Sequence, residues 1–138
     1  MKRHAATGSG VLFLLVVFVG LLSACTDEQA VMLGPQQWED LGIKVETRPS
    51  PIRVGMNEFI VIASRDEYKP GVGLVVNIRV GDNAKWRQAI QDGFTGVYRR
   101  AVRVDDPATQ SLKVHLRRTE GDGETELVFP LNQKPPTR

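Results

Sequence analysis

A chain of 138 residues has room for one folded domain with short flanking segments. Its single cysteine excludes an intrachain disulfide, so packing alone must hold the core. The 18 Lys and Arg exceed the 16 Asp and Glu only through Lys2 and Arg3, and a near-neutral remainder argues against nucleic acid as a partner.

The first ten residues carry Lys2, Arg3 and His4 and no acid; Val11 to Leu22 then runs apolar except for Gly20. That order predicts a secretory signal helix over residues 1–24, because the run falls short of the roughly 20 apolar residues a membrane-spanning helix needs. Leu22-Ser23-Ala24-Cys25 ends it, followed at once by the polar Thr26-Asp27-Glu28-Gln29. The tetrapeptide resembles the lipobox of bacterial lipoproteins. The resemblance implies a diacylglycerol thioether on Cys25, a cut before it, and acylation, palmitate included, of the new amine. Two or more hydrocarbon chains meet the physical requirement for a stable anchor, since one chain binds only reversibly. Thr26 stands where inner-membrane lipoproteins often carry Asp, which favours the outer membrane.

Residues 25–37 are mostly polar and contain Gly34-Pro35, and they are expected to form the lipidated cysteine and a flexible tether. The apolar Ala30-Val31-Met32-Leu33 inside them would shorten its reach if it packed on the domain. From Trp38 the pattern is β. Leu41, Ile43 and Val45 alternate with polar neighbours, and Phe59 to Ala63 reads as a central strand buried on both faces. Lys69-Pro70-Gly71 is a turn, and Leu74, Val76, Ile78 and Val80 alternate again before Gly81-Asp82-Asn83. Trp86 to Ile90 reads as a short strand, and Gly96 to Val104 as another. Within the latter, Arg100 shares the parity of Tyr98 and Val102, a mismatch that a bulge or a sheet edge would explain. Leu112, Val114 and Leu116 alternate with Lys113, His115 and Arg117; Glu120 to Gly123 turns the chain, and Leu127, Phe129 and Leu131 close it. The expectation is an all-β sandwich of about seven strands over residues 38–131, with a disordered tail over 132–138.

Gly96-Val97-Tyr98, placed after a Lys-Pro-Gly loop and before Leu112-Lys113-Val114, resembles the YtkA-like and FixH-like periplasmic domains across about residues 52–131. The resemblance implies an immunoglobulin-like fold and a link to copper handling or haem-copper oxidase assembly. Two departures stand against the activity. FixH-type proteins carry a spanning helix where this chain has the lipobox-like stretch, and copper-handling relatives carry paired Met or His ligands. The soft or imidazole ligands here, Cys25 aside, are Met32, Met56 and His115, and no His-x-His or Met-x-Met pair exists, so no metal site and no cofactor is expected.

If the strand from Gly96 pairs with the strand from Ser111, one outward face presents Arg99, Arg103, Lys113, His115 and Arg117, with Glu124 and Glu126 alongside. Such a face is either a solvated surface of cross-strand ion pairs or a docking patch for anionic headgroups or an acidic partner. Trp86 and Phe94, near turns, are the candidates for an exposed aromatic contact, while Trp38 and Tyr98 read as packing. Tyr98 is a candidate corner tyrosine bonding nearby backbone. No nucleophile–base pairing can be named, so no catalysis is expected. The leading expectation is a lipid-anchored, extracytoplasmic binding or assembly accessory factor of the cell envelope, with an envelope protein as partner. A copper or oxidase-assembly accessory protein and a structural envelope lipoprotein without a small ligand are the alternatives.

Overall fold

A computed structural model describes residues 31–66 and 68–133. The signal expectation over 1–24, Cys25 and residues 134–138 of the tail lie outside the described residues. Ten strands follow one another: β1 (Met32–Trp38), β2 (Leu41–Arg48), β3 (Gly55–Arg65), β4 (Lys69–Pro70), β5 (Leu74–Val80), β6 (Arg87–Gln88), β7 (Ile90–Gln91), β8 (Val97–Val104), β9 (Ser111–Arg118) and β10 (Glu124–Pro130). They form two antiparallel sheets. The first has the order β1-β2-β3-β8-β7, with β4 paired to β3; the second has the order β10-β9-β5-β6.

Alternation explains the layering. Leu41, Ile43 and Val45 on β2, Phe59, Val61 and Ala63 on β3, and Tyr98, Val102 and Val104 on β8 turn one face of the first sheet inward. Leu74, Val76, Ile78 and Val80 on β5 and Leu112, Val114 and Leu116 on β9 do the same for the second, and all belong to one core cluster. Each fully buried Phe, Leu, Ile or Val side chain contributes about 1.5–3 kcal/mol of transfer free energy. Burial on both faces, expected over Phe59 to Ala63, holds only at Ile60, which is 2% exposed on the outer face; Ile62 on that face is half-buried.

Three expectations need correction. Residues 32–37 are not tether: β1 pairs with β2, and Leu33 is fully buried. Gly34 and Pro35 bulge between the pairs Leu33↔Val45 and Gln36↔Ile43, which lets an edge strand carry a proline. The Gln36 amide donates to the Val128 carbonyl at 2.7 Å, so β1 closes one side of the two layers against β10. The apolar Val31-Met32-Leu33 drives this, because leaving Leu33 in water would waste its burial.

Second, the strand expected over Trp86 to Ile90 is split. β6 pairs with β5 in the second sheet and β7 with β8 in the first. Between them Ala89 is buried and donates its N–H to the Val76 carbonyl at 2.8 Å, so the chain changes sheets at that residue.

Third, β8 and β9 do not pair. β8 lies along β3, with Val61 opposite Tyr98, and β9 lies between β10 and β5. The loop Asp105–Gln110 carries the chain from one sheet to the other. It is built for that crossing: the Gln110 side-chain oxygen accepts from the N–H groups of Asp105 and Asp106 at 2.8 and 3.0 Å, and the Asp106 carboxylate takes the Thr109 hydroxyl at 2.6 Å. The apolar sets of both strands thereby face each other across the core instead of lying side by side.

Candidate functional site: a cationic cleft at the open sheet edge

The side of the molecule opposite β1 and β10 is not closed. β7 pairs only with Tyr98 and Arg99, so β8 has no neighbour there from Arg100 onward. β6 pairs only with Asn77 and Ile78 of β5. Between these two edges lies a cleft of about 490 Å³. Its charged lining is Arg79, Lys85, Arg87, Arg100, Arg103 and Asp105; Met56, Val80, Ala84, Ala101 and Val102 supply the apolar part.

Register shows why this lining is unusual. Arg87 stands opposite Ile78, and Arg100 stands opposite Phe59. Cross-strand partners share a face, so both arginines occupy positions whose neighbours point into the core. They sit on the two facing edges of the sandwich, where long stems can cover apolar surface while the guanidinium reaches water. Among the described residues, neither Arg87, Arg100 nor Lys85 has an ion-pair partner. Arg103 alone of the five is balanced, with Nε 2.8 Å from the Asp105 carboxylate. Arg79 donates to the Asp82 carbonyl at 3.2 Å, and its guanidinium lies 4.5 Å over the Trp86 ring. The Asp82 carboxylate itself turns to Lys113, 2.6 Å away, whose ammonium holds the Asp82 pKa below its ordinary value.

The basic face expected from sequence is therefore divided. Arg103 lines the cleft, and Trp86 stacks on one of its cations. Arg99 lies on the outer face of the first sheet, 3.2 Å from Asp92, in a separate groove of about 700 Å³ that also takes in Glu58, Ile90 and Arg100. Lys113, His115 and Arg117 lie on the outer face of the second sheet, away from Arg99. There the ion-pairing reading fits: Lys113 reaches Glu126 at 3.7 Å, and the His115 Nε2 lies 2.6 Å from Glu124. Phe94 is 86% exposed, but it sits in the turn before β8, at the other end of the molecule from Arg103. Tyr98 is buried, and its hydroxyl donates to the Gly71 carbonyl at 3.1 Å. That bond joins backbone 27 residues away rather than a local corner. Burial raises the Tyr98 pKa, partly offset by a backbone contact from Leu74.

Of the residues sequence reasoning passed over, Arg79, Lys85 and Arg87 carried no local signal. Arg100 did, through its parity, and the edge explanation is the one the pairing supports. Met56 is 62% exposed rather than filling core space, and Met32 and His115 lie on other surfaces; among the described residues no three or more His, Cys, Asp or Glu gather. Five cations and one carboxylate line the cleft, a donor set of the kind that can hold a negatively charged group by charge and hydrogen bonding. No family model, no curated protein and no solved structure matches the chain.

Proposed function

We propose that this chain is a lipid-anchored, extracytoplasmic protein that works as a binding or assembly accessory of the cell envelope, without catalysing a reaction itself. The observation that carries the reading is the closeness of two features: the lipobox-like Leu22-Ser23-Ala24-Cys25 ends only six residues before Val31, whose N–H is already tied to the Ser50 hydroxyl of the domain at 2.6 Å. Six steps of chain span about 20 Å at most, so a domain anchored at Cys25 works against the membrane surface. We further read the fold as an immunoglobulin-like sandwich. The support is strand order: β2-β3-β8-β7 against β10-β9-β5-β6 corresponds to the A-B-E-D and G-F-C arrangement with one added edge strand, β1 being an N-terminal addition. That arrangement is also what the resemblance to YtkA-like and FixH-like domains implies.

The test compares the chain with its Cys25→Ser variant in cells fed an alkyne-tagged fatty acid. The reading expects label on the parent chain, none on the variant, and a shift of the variant out of the detergent phase in phase partition. Parent protein with an unmodified sulfur, partitioning with water, removes the anchor.

A further inference from the structure

We propose that the cleft between β8 and β5–β6, with the loops beside it, is a docking surface for the phosphate groups of anionic phospholipids. The proposal rests on the anchor reading for its choice of ligand source, and on the geometry of this edge for its chemistry.

Chain direction places the cleft at one end of the molecule. Arg103 is opposite Met56 and Val104 opposite Gly55, so the end of β8 meets the start of β3. Arg48 closes β2 opposite Glu58, and Met32 opens β1 opposite Glu46. Val31 donates its N–H to the Ser50 hydroxyl at 2.6 Å, which ties the incoming chain to the same end. In the second sheet, Val80 pairs with Leu112, and Gly81 donates to the Ser111 carbonyl at 3.1 Å, which brings the Gly81–Lys85 turn there too. The residues leading back toward Cys25 therefore leave from the end at which the cationic cleft opens.

That end has the composition of a lipid-facing surface. Arg48 and Arg53 are exposed beside the cleft cations, and Val54 and Met56 are 65% and 62% exposed among them. The loop that presents Arg53 and Val54 is fixed by buried Asn57, whose side chain accepts from the Arg53 N–H at 3.0 Å and donates to the Arg53 carbonyl at 2.7 Å. The loop backbone is thus set before any ligand arrives, which leaves mainly the cation side chains to be ordered on binding. At the other end the turns carry Glu39, Asp40, Asp66, Asp92, Glu120 and Asp122, four of them paired with Arg65, Lys69, Arg99 or Arg118, whereas the acids of the cleft end are Asp82, Asp105 and Asp106. The unpaired cations Lys85, Arg87 and Arg100 thus line a cleft that opens toward the end at which the chain from Cys25 enters the domain.

Arg87 and Arg100 give the reason to expect occupancy and not merely attraction. Two arginines at core-parity positions line the same cleft, and among the described residues neither has an acid beside it, so an anion bound there would offset both charges. A phosphate accepts from both forks at once. Screening limits the reach to about 8–10 Å at physiological salt, and a link of about 20 Å at most keeps the domain close enough for this end to come within it.

The two tryptophans serve as reporters, since Trp86 lies against the cleft cation Arg79, with its other neighbour His115 on the outer face of the second sheet, and Trp38 pairs with Leu41 at the far end. The membrane-purified chain, as Trp38→Phe and as Trp86→Phe, is reconstituted into vesicles of phosphatidylcholine alone or with 30% phosphatidylglycerol, each containing a headgroup spin-labelled lipid as quencher. The expected result is quenching of Trp86, not Trp38, that appears with phosphatidylglycerol and fades in high salt. Arg87→Ser with Arg100→Ser weakens it about 25-fold, at roughly fivefold per cation. Lys85→Ser with Arg87→Ser, both exposed positions, does the same without touching packing. Equal Trp86 quenching in both vesicle types overturns the docking surface while leaving the anchor standing. Loss of quenching to millimolar inorganic phosphate at constant ionic strength overturns the lipid source in favour of a free anion. Phosphatidylglycerol-dependent quenching retained by Cys25→Ser upholds the surface even where the anchor fails.

Discussion

The two ends of the sandwich use the same residue types to opposite effect. At the acidic end, Arg118 on β9 reaches across to the β1–β2 turn, its guanidinium 2.7 Å from Glu39 and 2.5 Å from Asp40. Arg65 on β3 meets Asp40 at 2.8 Å, and Trp38 lies beneath Arg118 at 5.1 Å. At the same end backbone bonds extend the first sheet itself: Ala63 donates to the Gly96 carbonyl and Gly71 to the Ala63 carbonyl, both at 2.8 Å. At the basic end, Lys85, Arg87 and Arg100 face a gap. Where the fold brings acid to cation, charge fastens one sheet to the other; where it brings cation to cation, charge is left for something outside the chain.

Breaking the fastened end has the larger consequence for stability. Gly96 holds φ +73°, and a Cβ there would press on the Ala63 carbonyl and lie 2.8 Å from the Gly71 nitrogen. Gly96→Ala is expected to cost roughly 3 kcal/mol or more, from strain and overpacking together, read as a lower urea midpoint or failure to accumulate folded protein. Tyr98→Phe removes the hydroxyl that holds Gly71 and is expected to cost about 1 kcal/mol, with an unchanged urea slope.

The ion network supplies a gentler test with a sign. Hydrogen bonding from Arg118 holds the Asp40 carboxyl below its ordinary 3.8 in the folded state. Stability from that pair is present above the unfolded value and disappears as pH falls through the lower, folded value. Arg118→Met should therefore lower the thermal midpoint at neutral pH and flatten its dependence on pH in the acid range below about 4. An acid limb as steep as the parent's would show that other carboxylates, such as Asp82 or Asp106, set the response.

The smallest effect is expected at the open end. Lys85→Ser with Arg87→Ser removes two exposed cations that pair with nothing described, so the urea midpoint should stay within about 0.5 kcal/mol of the parent or rise. A marked fall would mean that these cations serve the fold, and the contrast between the ends would dissolve.

Much of the architecture was legible in short stretches. Leu74 to Val80 and Leu112 to Leu116 alternate so cleanly that their inward faces could be named before any partner was known. The apolar run Phe59 to Ala63 marked a strand, but burial on both faces reaches only Ile60, because the outer face of a two-layer sandwich is open to solvent at Ile62. Leu33 was missed because its neighbours Gly34 and Pro35 look like a linker, and only the bulge in β1 reconciles them with a sheet. The candidate site was legible at one residue: Arg100 broke the alternation, but nothing nearby in sequence pointed to Arg87 across the gap.

Local order thus followed from the residues themselves: strand positions, turn chemistry and the apolar face of each strand depend on neighbours two positions apart. Sheet membership did not. An alternating strand buries the same side chains in either layer, so the assignment of β8 and β9 to different sheets waited on which long-range pairing filled the core best. That assignment scattered the expected basic face over two surfaces, and by leaving one side of the sandwich unpaired it put Arg87 and Arg100 on the lining of one cleft.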